Sequence, residues 1–182
     1  MTWRELEGDP GRAVAQAAHT ADLVITTRDQ AASSEIAGLA PTLVTTAGLP
    51  VLVLPPSYVD DGGRSTLVGW DGSREATRAV HAALPFLQQA RTTVLCAIGE
   101  QAAESLDDAA TMLQRHGVHV RPERVPGGDS EAGQKLLTCA AAHGAEMLVM
   151  GAYGHTRLRE FIFGGATRYA LKEANLPVLF GG

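Results

Sequence analysis

From residue 64 onward, strand-like and helix-like segments alternate with short connections, and this alternation restricts the fold more than any other feature of the chain. Ser65–Trp70 (STLVGW) is a short apolar strand closed by Asp71-Gly72-Ser73, a turn and helix-start signal. Ala76, Ala79, Val80, Ala83, Leu84 and Leu87 then recur at helical spacing, which predicts a helix with one buried face that Pro85 should kink. Thr92–Ile98 (TTVLCAI) is a continuous β-rich run that suits a strand covered on both faces. Residues 102–116 read as a second helix and 118–125 as a strand of alternating character. Gly127-Gly128-Asp129-Ser130 opens a third helix that reaches about His143. A buried strand at 147–150 (MLVM), a glycine-punctuated segment, a helix from about Ala166 to Ala174 and a strand at 177–180 complete the series. Such βαβ succession demands a parallel sheet with right-handed crossovers. Five strands with helices on both faces predict a doubly wound α/β domain.

The first sixty residues repeat the back half of that unit. Glu7-Gly8-Asp9-Pro10 opens an alanine-rich helix followed by Ala21-Asp22-Leu23-Val24-Ile25, just as Gly128-Asp129-Ser130 opens one followed by Ala145-Glu146-Met147-Leu148-Val149. Gly48-Leu49-Pro50-Val51-Leu52 matches Asn175-Leu176-Pro177-Val178-Leu179. Nothing in the N-terminal copy corresponds to residues 65–116. Residues 1–55 are therefore expected to be a partial, degenerate half-domain, 56–63 a linker marked by Pro55-Pro56 and Asp60-Asp61-Gly62-Gly63, and 64–182 a complete domain. A half-unit without its central strands must lean on a complete sheet. The strand near Val51 is expected to pair with the edge strand near Val178, within one chain or across a dimer; a chain that has lost its true beginning would show the same pattern.

The formal net charge of −5 argues against nonspecific nucleic-acid binding, which needs a broad basic surface. No apolar run is long enough to cross a bilayer, and residues 1–10 carry three acidic residues and no apolar core of a signal peptide. A cytoplasmic protein with neither nucleic-acid nor membrane partners is expected. Cys96 and Cys139, in a predicted strand and a predicted helix, are expected to be buried reduced thiols, and their separation in sequence makes no metal motif. His116 and His119 straddle a helix end and a strand with no carboxylate at ligand spacing, so no metal is assigned. Trp70 is expected in the core.

The residues that carry chemistry cluster after the fourth strand of the complete unit. Gly151-Ala152-Tyr153-Gly154 leaves that strand, and Gly164-Gly165-Ala166-Thr167 opens the next helix. Glycines let backbone approach a ligand with no Cβ in the way. The amides of Gly165, Ala166 and Thr167 would be open donors at a helix N-terminus, where the dipole favours an anion. Arg157, Arg159, Arg168 and Lys172 outnumber Glu160 and Glu173 here, a local positive excess suited to phosphate. Asp71, at the end of the first strand, is placed to accept hydrogen bonds from a ribose or base. Glycines that only relieve crowding and arginines that are only solvated give the same pattern. Tyr153 and His155 would stack on a nucleotide or pack against Phe161 and Phe163.

Leu67-Val68-Gly69-Trp70-Asp71-Gly72-Ser73, with Met150-Gly151-Ala152-Tyr153-Gly154-His155-Thr156-Arg157-Leu158 and Gly164-Gly165-Ala166-Thr167-Arg168, strongly resembles the universal stress protein family, and within it the tandem bacterial type. The resemblance implies strand order 3-2-1-4-5 of the adenine nucleotide alpha hydrolase-like kind, a homodimer packed through last-strand edges and, in many members, an ATP site. It also implies that backbone near Ala97 and Ile98 touches the base. The family's nucleotide pattern runs glycine, two residues, glycine, nine residues, glycine, then serine or threonine. Gly151, Gly154 and Gly164 match it in spacing, but Gly165 stands where the hydroxyl belongs, which removes one side-chain donor unless Thr167 substitutes. The N-terminal copy has Thr27-Arg28-Asp29-Gln30 where its glycine loop should start and is expected not to bind nucleotide.

Three functions stay open on these residues. One is a stress-response regulator binding ATP, with or without Mg2+, through Asp71, Ala97, Ile98, Gly151, Gly154, Gly164, Gly165, Ala166 and Thr167. The second is an interaction protein that has kept the fold and lost the ligand. A slow ATPase is the third, although no nucleophile with an adjacent base, P-loop lysine or carboxylate cluster is recognisable and no catalytic residue is assigned.

Overall fold

The structure is a computed structural model that describes residues 2–28, 38–56, 58, 59, 62, 65–152 and 165–181. In chain order the elements are α1 (Pro10–Ala18), β1 (Val24–Thr27), α2 (Leu39–Thr46), β2 (Val51–Leu54), β3 (Ser65–Trp70), α3 (Arg74–Leu87) and β4 (Thr92–Ile98). They continue with α4 (Glu100–Ala103), α5 (Leu106–Arg115), β5 (Val120–Val125), α6 (Ala132–Ala142), β6 (Met147–Gly151), α7 (Gly165–Glu173) and β7 (Val178–Gly181). The seven strands form one sheet in the order β1-β2-β7-β6-β3-β4-β5. From β3 onward that is the order 3-2-1-4-5 expected for the complete unit.

The N-terminal half-unit joins this sheet by an antiparallel pair. Val51 lies opposite Phe180, Leu52 opposite Leu179 and Val53 opposite Val178. In the alignment of the two repeats Val51 corresponds to Val178 and Leu52 to Leu179, so the register is its own mirror about the Leu52–Leu179 pair. α1-β1-α2-β2 thus sits beside α6-β6-α7-β7 as a two-fold mate inside one chain. Arg28 strengthens the join from the end of β1 by donating to the backbone carbonyl of Lys172 on α7. The pairing expected between the strands near Val51 and Val178 is made within one chain. The outer edge of β7 is taken by β2 of the same chain, which leaves β1 and β5 as the sheet's outer strands.

Helices cover the sheet on two sides. One core joins α1, α2, α6 and α7 to Val51, Val53, Leu67, Val94, Cys96, Leu148, Val178 and Phe180. The other joins α3 and α5 to Val68, Trp70, Leu95, Val149 and Leu179. Alternate residues of β3, β4 and β6 supply both cores, and for this reason those strands read as unbroken apolar runs.

The helix expected over 102–116 divides into α4 and α5 around Ser105, whose Oγ accepts a 3.0 Å hydrogen bond from the Trp70 indole Nε1. Trp70 is buried, as expected. Pro85 does not interrupt α3, which runs on to Leu87; the ring forfeits only its own backbone bond to the carbonyl four residues back. A 3-10 turn over Asp129–Glu131 precedes α6. α2 had no clear periodic signal, being apolar on most of its length with Ala40, Leu43 and Val44 buried.

Candidate functional site at the strand ends

The middle of the sheet holds its topological switch point. β3 and β6 are parallel neighbours, but α3, which follows β3, belongs to one core and α7, which follows β6, to the other. The two connections therefore leave the carboxyl ends of β3 and β6 for opposite faces of the sheet, the place where ligands bind in sheets of this kind.

On the β3 side, Asp71 is exposed. Its Oδ1 accepts from the Ser73 amide at 2.9 Å, and among the described residues the second carboxylate oxygen has no partner. Ser73 caps α3, its Oγ accepting from the Ala76 amide at 3.1 Å. Loss of that cap in Ser73→Ala is expected to lower stability by about 1 kcal/mol in urea unfolding, with nucleotide absent. Glu75, in the first turn of α3, is buried and pairs with Arg74 at 3.5 Å and Arg78 at 3.3 Å, so its charge is balanced before any ligand arrives.

On the β6 side, Gly151 has a packing reason to be glycine. A Cβ there would lie 2.6 Å from the Ala76 amide nitrogen and 2.8 Å from the Glu75 carbonyl carbon. The first turn of α3 rests on Gly151. Gly154 and Gly164 lie outside the described residues, as do Tyr153, His155, Arg157 and Arg159. Gly165 begins α7, is exposed, and has none of the described residues within 4 Å of where a Cβ would stand. Ala166 is half-buried, and Thr167 is 3% exposed. Of the nearby cations, Arg168 is exposed, and Lys172 pairs with Glu173 at 2.9 Å.

Ala97 and Ile98 lie at the end of β4, both buried. Ala97 stands in register between Trp70 and Arg124, inside the sheet. Lys135, which the sequence did not single out, stands beside this end of β4: a Cβ on Gly127 would lie 2.6 Å from its Nζ and 3.1 Å from Ile98 Cγ2. Its ammonium donates to the Pro126 carbonyl at 2.7 Å and pairs with Glu131 at 3.1 Å, which holds the Glu131 carboxyl below the usual carboxylate range. The spacing of Glu131 and Lys135, one helical turn, was the signal that could have found it.

The sequence model of the universal stress protein family matches residues 64–180, more than half of the chain. The chain belongs to the universal stress protein family. Two curated members match shorter stretches. Universal stress protein Slr1230 of Synechocystis is 30% identical over 79 residues, 43% of this chain and 26% of that protein. Universal stress protein MJ0577 of Methanocaldococcus jannaschii is 29% identical over 80 residues, 44% of this chain and 48% of that protein. These matches thus span about a quarter and about half of the two relatives. Among solved structures, a universal stress protein from Archaeoglobus fulgidus superposes with a TM-score of 0.75 at 18% identity, covering 94% of this chain and 64% of that one. At that identity the likeness is one of fold, and it takes in the N-terminal half-unit as well as the family domain. Among the described residues no helix is long and apolar enough to cross a membrane.

Proposed function

We propose that this universal stress protein is a cytoplasmic regulator that binds ATP, with Mg2+, in the crevice between β3 and β6. The observation that carries the proposal is Asp71, exposed and with one carboxylate oxygen unpartnered among the described residues, at the switch point that the connection to α7 also leaves. The carboxylate takes the ribose hydroxyls, and the amides at the start of α7 take phosphate. Residues 1–55 serve as the back half of a second such domain and contribute packing rather than a second nucleotide site.

Calorimetry with ATP and magnesium tests this. Saturable heat that Gly154→Val abolishes is expected, and no heat at millimolar nucleotide ends the proposal. Gly165→Ser places the family's hydroxyl at a position where none of the described residues stands within 4 Å. It is expected to tighten ATP binding about ten- to a hundredfold, from roughly 1.5–3 kcal/mol for a hydrogen bond to a charged group.

The second reading is an interaction protein that keeps the fold without the ligand. Glycine at position 165, where the family's pattern has a hydroxyl, and the degenerate N-terminal copy favour it. Nucleotide released from the purified protein by denaturation and detected by mass spectrometry would count against it. A slow ATPase requires phosphate release above a buffer blank that is lost with the glycine loop mutated.

A further inference from the structure

Away from the crevice, the fold gathers four residues that are far apart in sequence. Cys96 on β4 and Glu123 on β5 are register partners, so their side chains share one face of the sheet. α6 packs over that face, with Cys139 and, four residues on, His143 turned toward it. His143 Nε2 lies 2.7 Å from Glu123 Oε2, and Cys139 Sγ lies 3.7 Å from Glu123 Oε1. One donor atom from each of Glu123, Cys139 and His143 falls within 4.8 Å of the other two.

We infer that Glu123, Cys139 and His143 form a zinc site, with water in the fourth position. Zinc bonds of about 2.0–2.3 Å in a tetrahedron hold neighbouring donors roughly 3.5 Å apart. The present separations are 2.7 Å from His143 to one Glu123 oxygen and 3.7 Å from Cys139 to the other, and one donor of each residue lies within 4.8 Å of the other two. A small turn of the His143 ring away from Glu123 therefore opens the space an ion needs. Sulfur, nitrogen and carboxylate oxygen together suit zinc, whereas magnesium and calcium require several oxygens.

The burial pattern fits entry from solvent. Cys139 is 6% exposed, while the His143 and Glu123 side chains keep 23% and 26% of their surface. The ion reaches the sulfur past His143 and Glu123, and the outer position stays wet. Arg121, 3.2 Å from Glu123 Oε2, opposes a cation, but it is 67% exposed and free to swing outward. Cys139 binds as thiolate and its proton leaves to solvent; burial in the apolar core otherwise keeps that thiol protonated. Cys96, fully buried beside Cys139, shields the sulfur from water.

Cobalt is the probe, because it occupies zinc sites and reports its ligands by colour. Full-length protein stripped with a chelator and free of nucleotide is titrated with Co2+. One equivalent should bind, with a near-ultraviolet thiolate-to-cobalt band and tetrahedral visible bands that Zn2+ then bleaches. The chain has two cysteines, so the source of the band can be assigned. Cys139→Ser should remove it and Cys96→Ser should keep it. His143→Gln, at the half-exposed end of α6, should weaken Co2+ binding at least tenfold with unchanged circular dichroism. No band at equimolar cobalt, a band that survives Cys139→Ser, or unchanged affinity in His143→Gln overturns the assignment.

Discussion

Valine at position 181 is expected to remove a large part of the protein's stability, about 3 kcal/mol or more of a total that is roughly 5–15 kcal/mol for proteins of this kind. Gly181 ends β7 beside Gly151 at the end of β6. A Cβ on Gly181 would stand 2.3 Å from the Ala79 amide nitrogen and 2.4 Å from its Cα. These are backbone atoms in the middle of α3, held by the helix on one side and the sheet on the other, so neither partner can retreat by rotating a side chain. The urea midpoint of Gly181→Val should fall sharply with little change in slope. Gly165→Ala is the comparison, because none of the described residues crowds that position, and its effect should stay within about 0.5 kcal/mol. A loss below about 1 kcal/mol in Gly181→Val would show that α3 does not rest on the strand ends. The same contact governs Gly151, so a substitution there would test packing before nucleotide binding.

Phe180→Ala is expected to cost about 3–5 kcal/mol and to loosen both repeats at once. Phe180 is 1% exposed and lies in register with Val51 on one side and Met150 on the other. It shares a single core with residues of α1, α2, β2, α6 and α7. Thermal unfolding should stay a single transition, shifted downward whether followed at the N-terminal half-unit or at the complete domain. Two separate transitions, with only one moved by Phe180→Ala, would mean that the half-unit folds by itself. Phe86→Ala, at a residue 36% exposed, serves as the mild comparison.

Much of this architecture was legible before any coordinates. The apolar runs of β3, β4 and β6 announce strands covered on both faces, and the 3.6-residue spacing from Ala76 to Leu87 announces α3. Asp9 and Ser73 mark helix starts and are found capping α1 and α3. The repeat at Val51 and Val178 pointed to their pairing, and the two strands do pair. The break at Ser105 was not legible, and the indole bonded to its hydroxyl arrives from β3, thirty-five residues earlier.

The candidate site divides in the same way. Asp71 could be placed at a strand end from its own neighbours in sequence, and so could Gly151. That Gly151 supports α3, that Thr167 turns inward and that Lys135 stands over the end of β4 depend on helices crossing the sheet.

By itself, the sequence determined the kind of domain, the succession of its elements and the family, because periodicity, turn chemistry and motif spacing are local properties of a chain. Only the tertiary structure decided that β2 closes the edge of β7 within one molecule and that two glycines form a seat for a helix. It alone brought Glu123, Cys139 and His143 within reach of one ion. Such neighbours are set by sheet register and by the angle at which helices cross it, and neither is written in any short stretch of residues.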